Sequence, residues 1–476
     1  MMSVSDTSSS TLGHGLKVRH LTMMGLGSTI GAGLFLGTGV GISAAGPAVL
    51  VAYVIAGFLA ILVMQMLGEM GTVIPASGSF SEYAEHGIGR WAGFTQGWIY
   101  WLATVAVLGA EITGAAGFIG AWFGVTPWIP AAICVAIFGI INLLHVRSFG
   151  EFEYWFAAIK VIVIVAFLII GALLIFGLLP GHTFIGSEVF LADGFMPNGL
   201  GGVAAALLAV AFAFGGIEVV AIASAESEDP KRSLVNAVRS TILRISVFYL
   251  GSVLVITFLL PYSSLGNAKS AAESPFTMVL ERAGIPGAAG FMEVIIVLAL
   301  LSAFNAQIYA SSRMMHSLAA RGEAPKFFTK TNAKGVPTNA IALSVALSVV
   351  MVILNYADTG WLLTFMLNAA GASLLIVWVF IAVSQLRLRH QLETIHPLPI
   401  RMWAFPYLTW FALAIFVALA VLMLSDASAR VQLVSAAAMF AVLTVAGIIN
   451  AKVRGISPTA RLPLPDTAHA SDAPRA

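Results

Sequence analysis

Residues 21–41, LTMMGLGSTIGAGLFLGTGVG, are apolar and long enough to cross a bilayer, yet seven of these positions (25, 27, 31, 33, 37, 39 and 41) are glycine. About 20 apolar residues suffice to span the hydrocarbon core. Each glycine costs roughly 1 kcal/mol of helix stability relative to alanine, and Gly31-Ala32-Gly33 concentrates that weakness at mid-span. Lipid cannot satisfy free N–H and C=O groups, so a helix opened at that depth must be buried in protein or line a polar cavity. The same glycines also form small-xxx-small pairs (Gly27/Gly31, Gly33/Gly37, Gly37/Gly41) suited to close helix packing. The segment therefore makes either a tight helix contact or a mid-membrane binding site.

The rest of the chain places that segment in an all-α integral membrane protein. Of 476 residues, 59% are hydrophobic and 10% charged, and mean hydropathy is +0.95, far from the range of soluble domains. The single cysteine, Cys134, lies in an apolar run, which argues against a disulfide framework or a Cys-rich metal site. Twelve spans are expected, at 21–42, 47–68, 91–118, 127–145, 154–177, 199–224, 239–260, 288–312, 338–356, 360–384, 402–424 and 430–450. With both termini cytoplasmic, the outward loops hold only Lys269, Arg282 and Arg430, and Lys160 falls within a span. Every other Lys and Arg then faces inward, which sets the orientation by the positive-inside rule. The polar first 20 residues lack the short apolar core and cleavage site of a secretory signal, so the first span is expected to stay in the mature protein.

A second weakened helix lies at 203–224, where Gly215-Gly216 is followed at once by Glu218. It is the sixth span and runs opposite to the first, and each begins a set of five. Two interrupted helices in corresponding positions point to an inverted repeat with its binding site between the halves. The expected organisation is an N-terminal tail (1–20), a first repeat (21–177, helices 1–5), a second repeat (199–384, helices 6–10), two additional helices (402–450) and a C-terminal tail (451–476). This is a five-plus-five, LeuT-like plan with discontinuous helices 1 and 6.

A split helix presents unpaired N–H groups and the positive dipole end on one side of the break, which suits an anion. The other side ends in free carbonyls, which attract a cation. Breaks at 31–33 and 214–216 can together hold a zwitterion, carboxylate at the first and ammonium at the second. Ionisable groups inside spans are functional candidates by default, each costing about 2.5–3.5 kcal/mol at the bilayer centre. Lys160, about two turns into the expected fifth span, reads as a reversible proton carrier, against the alternative of a permanent charge paired or snorkelling to the surface. Glu111 and Glu218 are the other deep groups; each is a structural partner, a proton relay or a contact for the substrate ammonium, and Glu218 has the better claim to the last by its position. Asn305 is a mid-span polar residue that either bonds a neighbouring helix or touches substrate. Glu69 and Glu82, flanking the connection between spans 2 and 3, read as structural or gating residues.

Missing patterns narrow the class. There is no G-x-x-x-x-G-K-[ST] loop, no H-E-x-x-H, no G-x-S-x-G and no span bearing a row of arginines, which argues against direct ATP-driven transport, membrane hydrolases, metal sites and voltage sensing. No enzyme activity, cofactor or nucleic-acid partner is expected. A substrate-binding sensor is disfavoured because neither tail is long enough for a signalling domain.

The stretches LTMMGLGSTIGAGLFLG, AGPAVLVAYVIAG, GEMGTVIPASGSFSEYAE, FGGIEVVAIASAESEDP and SSRMMHSLAARGEAP resemble the amino acid transporter family of the amino acid/polyamine/organocation permeases. IGRWAGFTQGWIYW, GFMPNG, RISVFYL, AVSQLRLR and IRMWAFPYLTW resemble bacterial GABA permeases most. The resemblance runs from about residue 16 to 450. It implies secondary transport coupled to protons by alternating access in a bacterial inner membrane. The substrate carboxylate is then expected at Ile30, Gly31, Ala32 and Gly33, the amine at Phe214, Gly215 and Gly216, and Lys160 in the position where a fifth-helix lysine replaces a sodium ion. The family commonly has Gly-Thr-Gly in the first helix; Ala32 replaces that threonine here and removes one hydroxyl contact. The expected substrate is a small zwitterionic amino acid, GABA or a related neutral ω-amino acid. Aromatic amino acids, proline, other neutral α-amino acids, or exchange of one amino acid for another remain the alternatives.

Overall fold

The computed structural model describes residues 15–27, 30–143, 146–265, 274–356, 362–395, 397–425 and 427–464. Among these the chain is all-helical, apart from one isolated bridge between Leu16 and Ser227. The first span is in pieces: α1 (Val18–Gly27), α2 (Ala32–Phe35) and α3 (Gly37–Ala45). There follow α4 (Val49–Gly71), the short α5 (Phe80–Gly87), α6 (Arg90–Phe123), α7 (Trp128–Leu143), α8 (Val146–Ile175) and the short α9 (Glu188–Leu191). The sixth span is also divided, into α10 (Gly199–Phe214) and α11 (Ile217–Ser224). Next come α12 (Pro230–Leu243), a π-helical segment (Arg244–Tyr249), α13 (Leu250–Leu259), and the short α14 (Tyr262–Leu265) and α15 (Pro275–Arg282). The last elements are α16 (Ala288–Ala320), α17 (Thr338–Tyr356), α18 (Leu362–Ile395), α19 (Tyr407–Met423) and α20 (Ala427–Val453).

Among the described residues, eight stretches are helical, long and apolar enough to cross a membrane. They correspond to eight of the expected spans; the fourth, ninth and eleventh are shorter apolar helices, and the first is broken. Several helices outrun their expected ends. The eighth continues to Ala320 and the tenth to Ile395, while the fifth begins at Val146. Hydropathy falls where charges begin, but backbone hydrogen bonding continues through a charged turn, so helices outlast the apolar window. Lys160 therefore lies almost four turns into α8 rather than two.

Local sequence explains several boundaries. Asp229 accepts a hydrogen bond from Arg232 N at 3.0 Å and Pro230 takes the first helical position, which together start α12. Gly124, at φ +64°, closes α6 in the left-handed conformation. Gly216, at φ +90°, precedes α11 in the left-handed conformation, where a side chain would be strained.

The outer helices bury one face and expose an apolar one. On α8, Trp155, Ile162 and Ile169 are 64%, 67% and 56% exposed, whereas Glu153, Lys160 and Phe167 are at most 1% exposed. Both sets repeat every seven residues, so the polar groups lie on the protein side. Val431, Val434, Val442 and Val445 give α20 a similar outward apolar face, as a surface solvated by acyl chains requires.

The broken helices occupy the interior. α1 packs between α8 and α12, and α10 lies on α3, α4 and α18. Small residues allow this: a Cβ on Gly27 would sit 2.5 Å from the Ala157 methyl, and one on Gly33 would sit 2.6 Å from Ala213 Cα. At the end carrying both described termini, Leu16 bonds through its backbone to Glu226 and Glu228, Arg313 pairs with Glu226 at 2.9 Å, and Arg321 bridges to Glu85 and Glu323. Glu69 accepts from Gln385, Met402 N and Arg389, and Glu82 accepts from Gly78 N and Ser317.

Candidate functional site

The first break lies between the end of α1 at Gly27 and the start of α2 at Ala32. Among the described residues Ile30 and Gly31 lie outside helix there, so the break includes Gly31, and Ala32 and Gly33 are the first helical residues after it. Both broken ends carry a charged side chain. On the α1 side, Lys160 Nζ donates to the Gly27 carbonyl at 2.9 Å, and Arg244, from the π-helical segment, donates to the Gly25 carbonyl at 2.9 Å. On the α2 side, Ala32 N donates to both oxygens of Glu111 at 3.0 Å each. Charged groups of the appropriate sign therefore meet each helix end.

Gly31 lets the Glu111 carboxylate approach. A Cβ there would lie 2.5 Å from Glu111 Oε1 and 2.8 Å from Oε2. The amide expected to receive a substrate carboxylate is thus already engaged by the protein's own carboxylate. Ile30 is buried beside it.

The second break falls at Gly215 and Gly216, as expected. Glu218 folds back on it: Oε2 accepts from Gly216 N at 2.9 Å, and Oε1 accepts from Trp378 Nε1 at 2.6 Å. Both Glu218 oxygens are thus used in closing the start of α11. Phe214 stacks on Tyr249 at 5.0 Å and meets the edge of Tyr53 at 5.7 Å.

The two breaks share one cavity, lined by Gly33, Val107, Glu111, Phe212, Gly215, Ala303 and Gln307. Its volume is about 10 Å³, of the order that holds one water molecule, so an amino acid enters only when the lining moves. Glu111, Gly33 and Gly215 thus come together from three separate segments. Asn305 does not line the cavity. Its Nδ2 donates to Glu153 Oε1 at 3.2 Å, and its Oδ1 accepts from Asn142 Nδ2 at 2.7 Å.

Three features escape the sequence reading. Gln307 lines the cavity, and its Oε1 is buried without a hydrogen-bond partner among the described residues. Arg244 reaches α1 from a π-helical turn, a distortion frequent at functional sites. Glu153, one seven-residue step before Lys160 on the same face of α8, is fully buried; that spacing was the available signal.

The comparisons with known proteins agree in class. A family profile described as "Amino acid permease" matches residues 20–455. The aromatic amino acid transport protein AroP of Corynebacterium glutamicum is 59% identical over 93% of this chain and 97% of its own length. Gamma-aminobutyric acid permeases of Bacillus subtilis and Escherichia coli are 45% and 41% identical, over 86% and 89% of this chain and 87% and 91% of theirs. A crystal structure of the Eremococcus coleocola manganese transporter, in complex with an aromatic bis-isothiourea substituted compound, superposes with a TM-score of 0.57 over 95% of this chain and 100% of that one. At 14% identity that likeness concerns the fold alone.

Proposed function

The chain belongs to the amino acid permease family and is a membrane transport protein rather than an enzyme, and from this premise we propose that it imports an aromatic amino acid by proton symport. The observation that carries the coupling is the first break itself. One titratable group, Lys160, holds its α1 end, and another, Glu111, holds its α2 end. A change of protonation at either removes a charge-assisted bond at the break. Coupling requires only that protonation favour one access state over the other.

In this reading the substrate carboxylate competes with Glu111 for Ala32 N and the neighbouring backbone at Ile30, Gly31 and Gly33. Its ammonium is received at Phe214, Gly215 and Gly216, with Gln307 Oε1 as an added acceptor. Glu218 supports that end by fixing the start of α11, and Asn305 acts through Glu153. The cycle rocks two five-helix repeats, within twelve spans, in the inner membrane with both termini cytoplasmic; the proton is the coupling ion and no cofactor takes part.

The high identity to a protein named for aromatic amino acid transport supports the substrate class, as do the apolar cavity residues Val107, Phe212 and Ala303. GABA is the second reading, supported by the relatives named as GABA permeases. Purified protein in liposomes tests both. Phenylalanine, tyrosine and tryptophan should accumulate under an inward proton gradient without preloaded amino acid, and should outcompete GABA. Dependence on preloaded substrate would instead indicate exchange.

A further inference from the structure

Lys160 and Glu153 are joined through one hydroxyl. Lys160 Nζ donates to Ser302 Oγ at 3.0 Å, and Ser302 Oγ donates to Glu153 Oε2 at 3.0 Å. The second Glu153 oxygen accepts from Asn305 Nδ2, which Asn142 orients in turn. All five side chains are buried, and Lys160 and Glu153 are at most 1% exposed. We infer that Glu153 is the proton partner of Lys160: the two share one labile proton through the Ser302 hydroxyl, and its position sets whether the first break is held by a charged donor. This inference rests on the proton-coupled reading above.

The transfer balances within three groups. An N–H bond of the Lys160 ammonium breaks as its proton goes to Ser302 Oγ. The Ser302 O–H bond breaks as that proton goes to Glu153 Oε2, and the hydroxyl is left pointing toward a neutral amine. An ion pair becomes a neutral amine and a carboxylic acid, with no change in net charge. That conservation matters at bilayer depth, where an isolated charge is expensive and a buried ion left without its partner is strongly destabilising. A lysine that simply lost its proton would strand Glu153 as a buried anion. With the proton on Glu153, the Gly27 carbonyl keeps only a neutral donor, and the grip on α1 weakens.

The surroundings favour the pair acting as a unit. Glu111 of α6 is the other charged group acting on Lys160, and Lys160 is the charged group acting on Glu153. Around α8, Arg19 and His20 of α1 engage Glu151. Arg313 of α16 engages Glu226, and Arg282 of α15 donates to the Leu259 carbonyl; among the described residues, Cys134 of α7 and Glu281 of α15 make no bond to the pair. The carboxamides of Asn142 and Asn305 are poor proton carriers, so the relay ends at Glu153.

Liposomes containing wild-type protein, Ser302→Ala, Glu153→Gln or Glu153→Asp decide the matter, using labelled phenylalanine. Gradient-driven accumulation and exchange against internal phenylalanine are both measured across a pH series. Ser302→Ala should cut accumulation at least tenfold more than exchange. Glu153→Gln should abolish accumulation and its pH dependence, and Glu153→Asp should restore part of both. Infrared difference spectra between acidic and alkaline states should show a protonated-carboxyl band that Glu153→Gln removes. Ser302→Ala with wild-type accumulation, or a band unchanged by Glu153→Gln, overturns the shared proton. If Glu153→Gln does not yield folded protein, the Ser302→Ala ratio decides alone. Wild-type protein that fails to accumulate phenylalanine under a proton gradient overturns the underlying reading together with this inference. Loss in Lys160→Met with none in Ser302→Ala or Glu153→Gln overturns this inference only.

Discussion

Lys160 Nζ lies 2.9 Å from the carbonyl oxygen of Gly27, the last described residue of α1 before the first break. A side chain on the fifth expected span thus holds the open end of the first. Burial makes the bond consequential, since a charged donor in a low-dielectric interior binds a carbonyl more strongly than it does in water.

Replacing Lys160 by Met is expected to abolish gradient-driven accumulation. It also leaves Glu153 without its buried cation, at about 3–5 kcal/mol. Thermal unfolding in detergent should show this as a lowered Tm, partly recovered by adding Glu153→Gln. Wild-type accumulation in Lys160→Met would remove the carrier role.

Glu111→Gln weakens the internal occupant of Ala32 N, because an ionised acceptor bonds roughly twice as strongly as a neutral one. Substrate carboxylate then meets less competition, and affinity should rise by about tenfold, equivalent to about 1.4 kcal/mol. Accumulation against a gradient should fall at the same time. Equilibrium binding of labelled phenylalanine, compared with gradient-driven uptake, separates the two effects; reduced affinity would mean that Glu111 supports the substrate instead.

Two glycines of the first span should respond oppositely to alanine. At Gly33 an added Cβ meets Ala213 Cα at 2.6 Å, which would push α2 off α10 and deform the cavity. At Gly37 the nearest atoms are 3.6 Å away, ordinary contact, and the residue begins α3. Gly33→Ala should lose substrate binding, whereas Gly37→Ala should keep it and gain up to about 1 kcal/mol of helix stability. Equal behaviour in binding assays would show that the Gly33 contact does not shape the site.

Outside the spans, Glu323 is buried beside Arg321 at 3.2 Å. Burial pushes its carboxyl up to about 7 from an ordinary 4.5; Arg321 opposes the shift without cancelling it. Between those values the folded protein binds more protons than the unfolded chain, so stability should fall as pH rises through that window and be flat below it. The contribution is of order 1–3 kcal/mol. Melting curves from about pH 5 to about pH 7 should fall less steeply for Glu323→Gln than for wild type.

Much of the fold was legible because the bilayer imposes simple rules. Apolar length marks the spans, and the seven-residue alternation on α8, with Trp155 and Ile162 outward and Glu153 and Lys160 inward, follows from helix geometry. Glycine marks where a helix gives way, so both interruptions were visible in the residues. Family motifs then narrowed the chemistry to amino acid transport, while relatives named for aromatic amino acids and for GABA are 41% to 59% identical over most of the chain and so left the substrate divided.

The sequence by itself determined the membrane setting, the pair of weakened helices and the polar residues buried among apolar ones, because these depend on local composition and spacing. Only the tertiary structure decided who meets whom. Glu111 is 79 positions from Ala32 and Ser302 is 142 from Lys160, and no periodicity links such distant segments. Those pairings follow from how small residues such as Gly27, Gly31 and Gly33 let backbones and carboxylates approach, a property of packed helices in three dimensions.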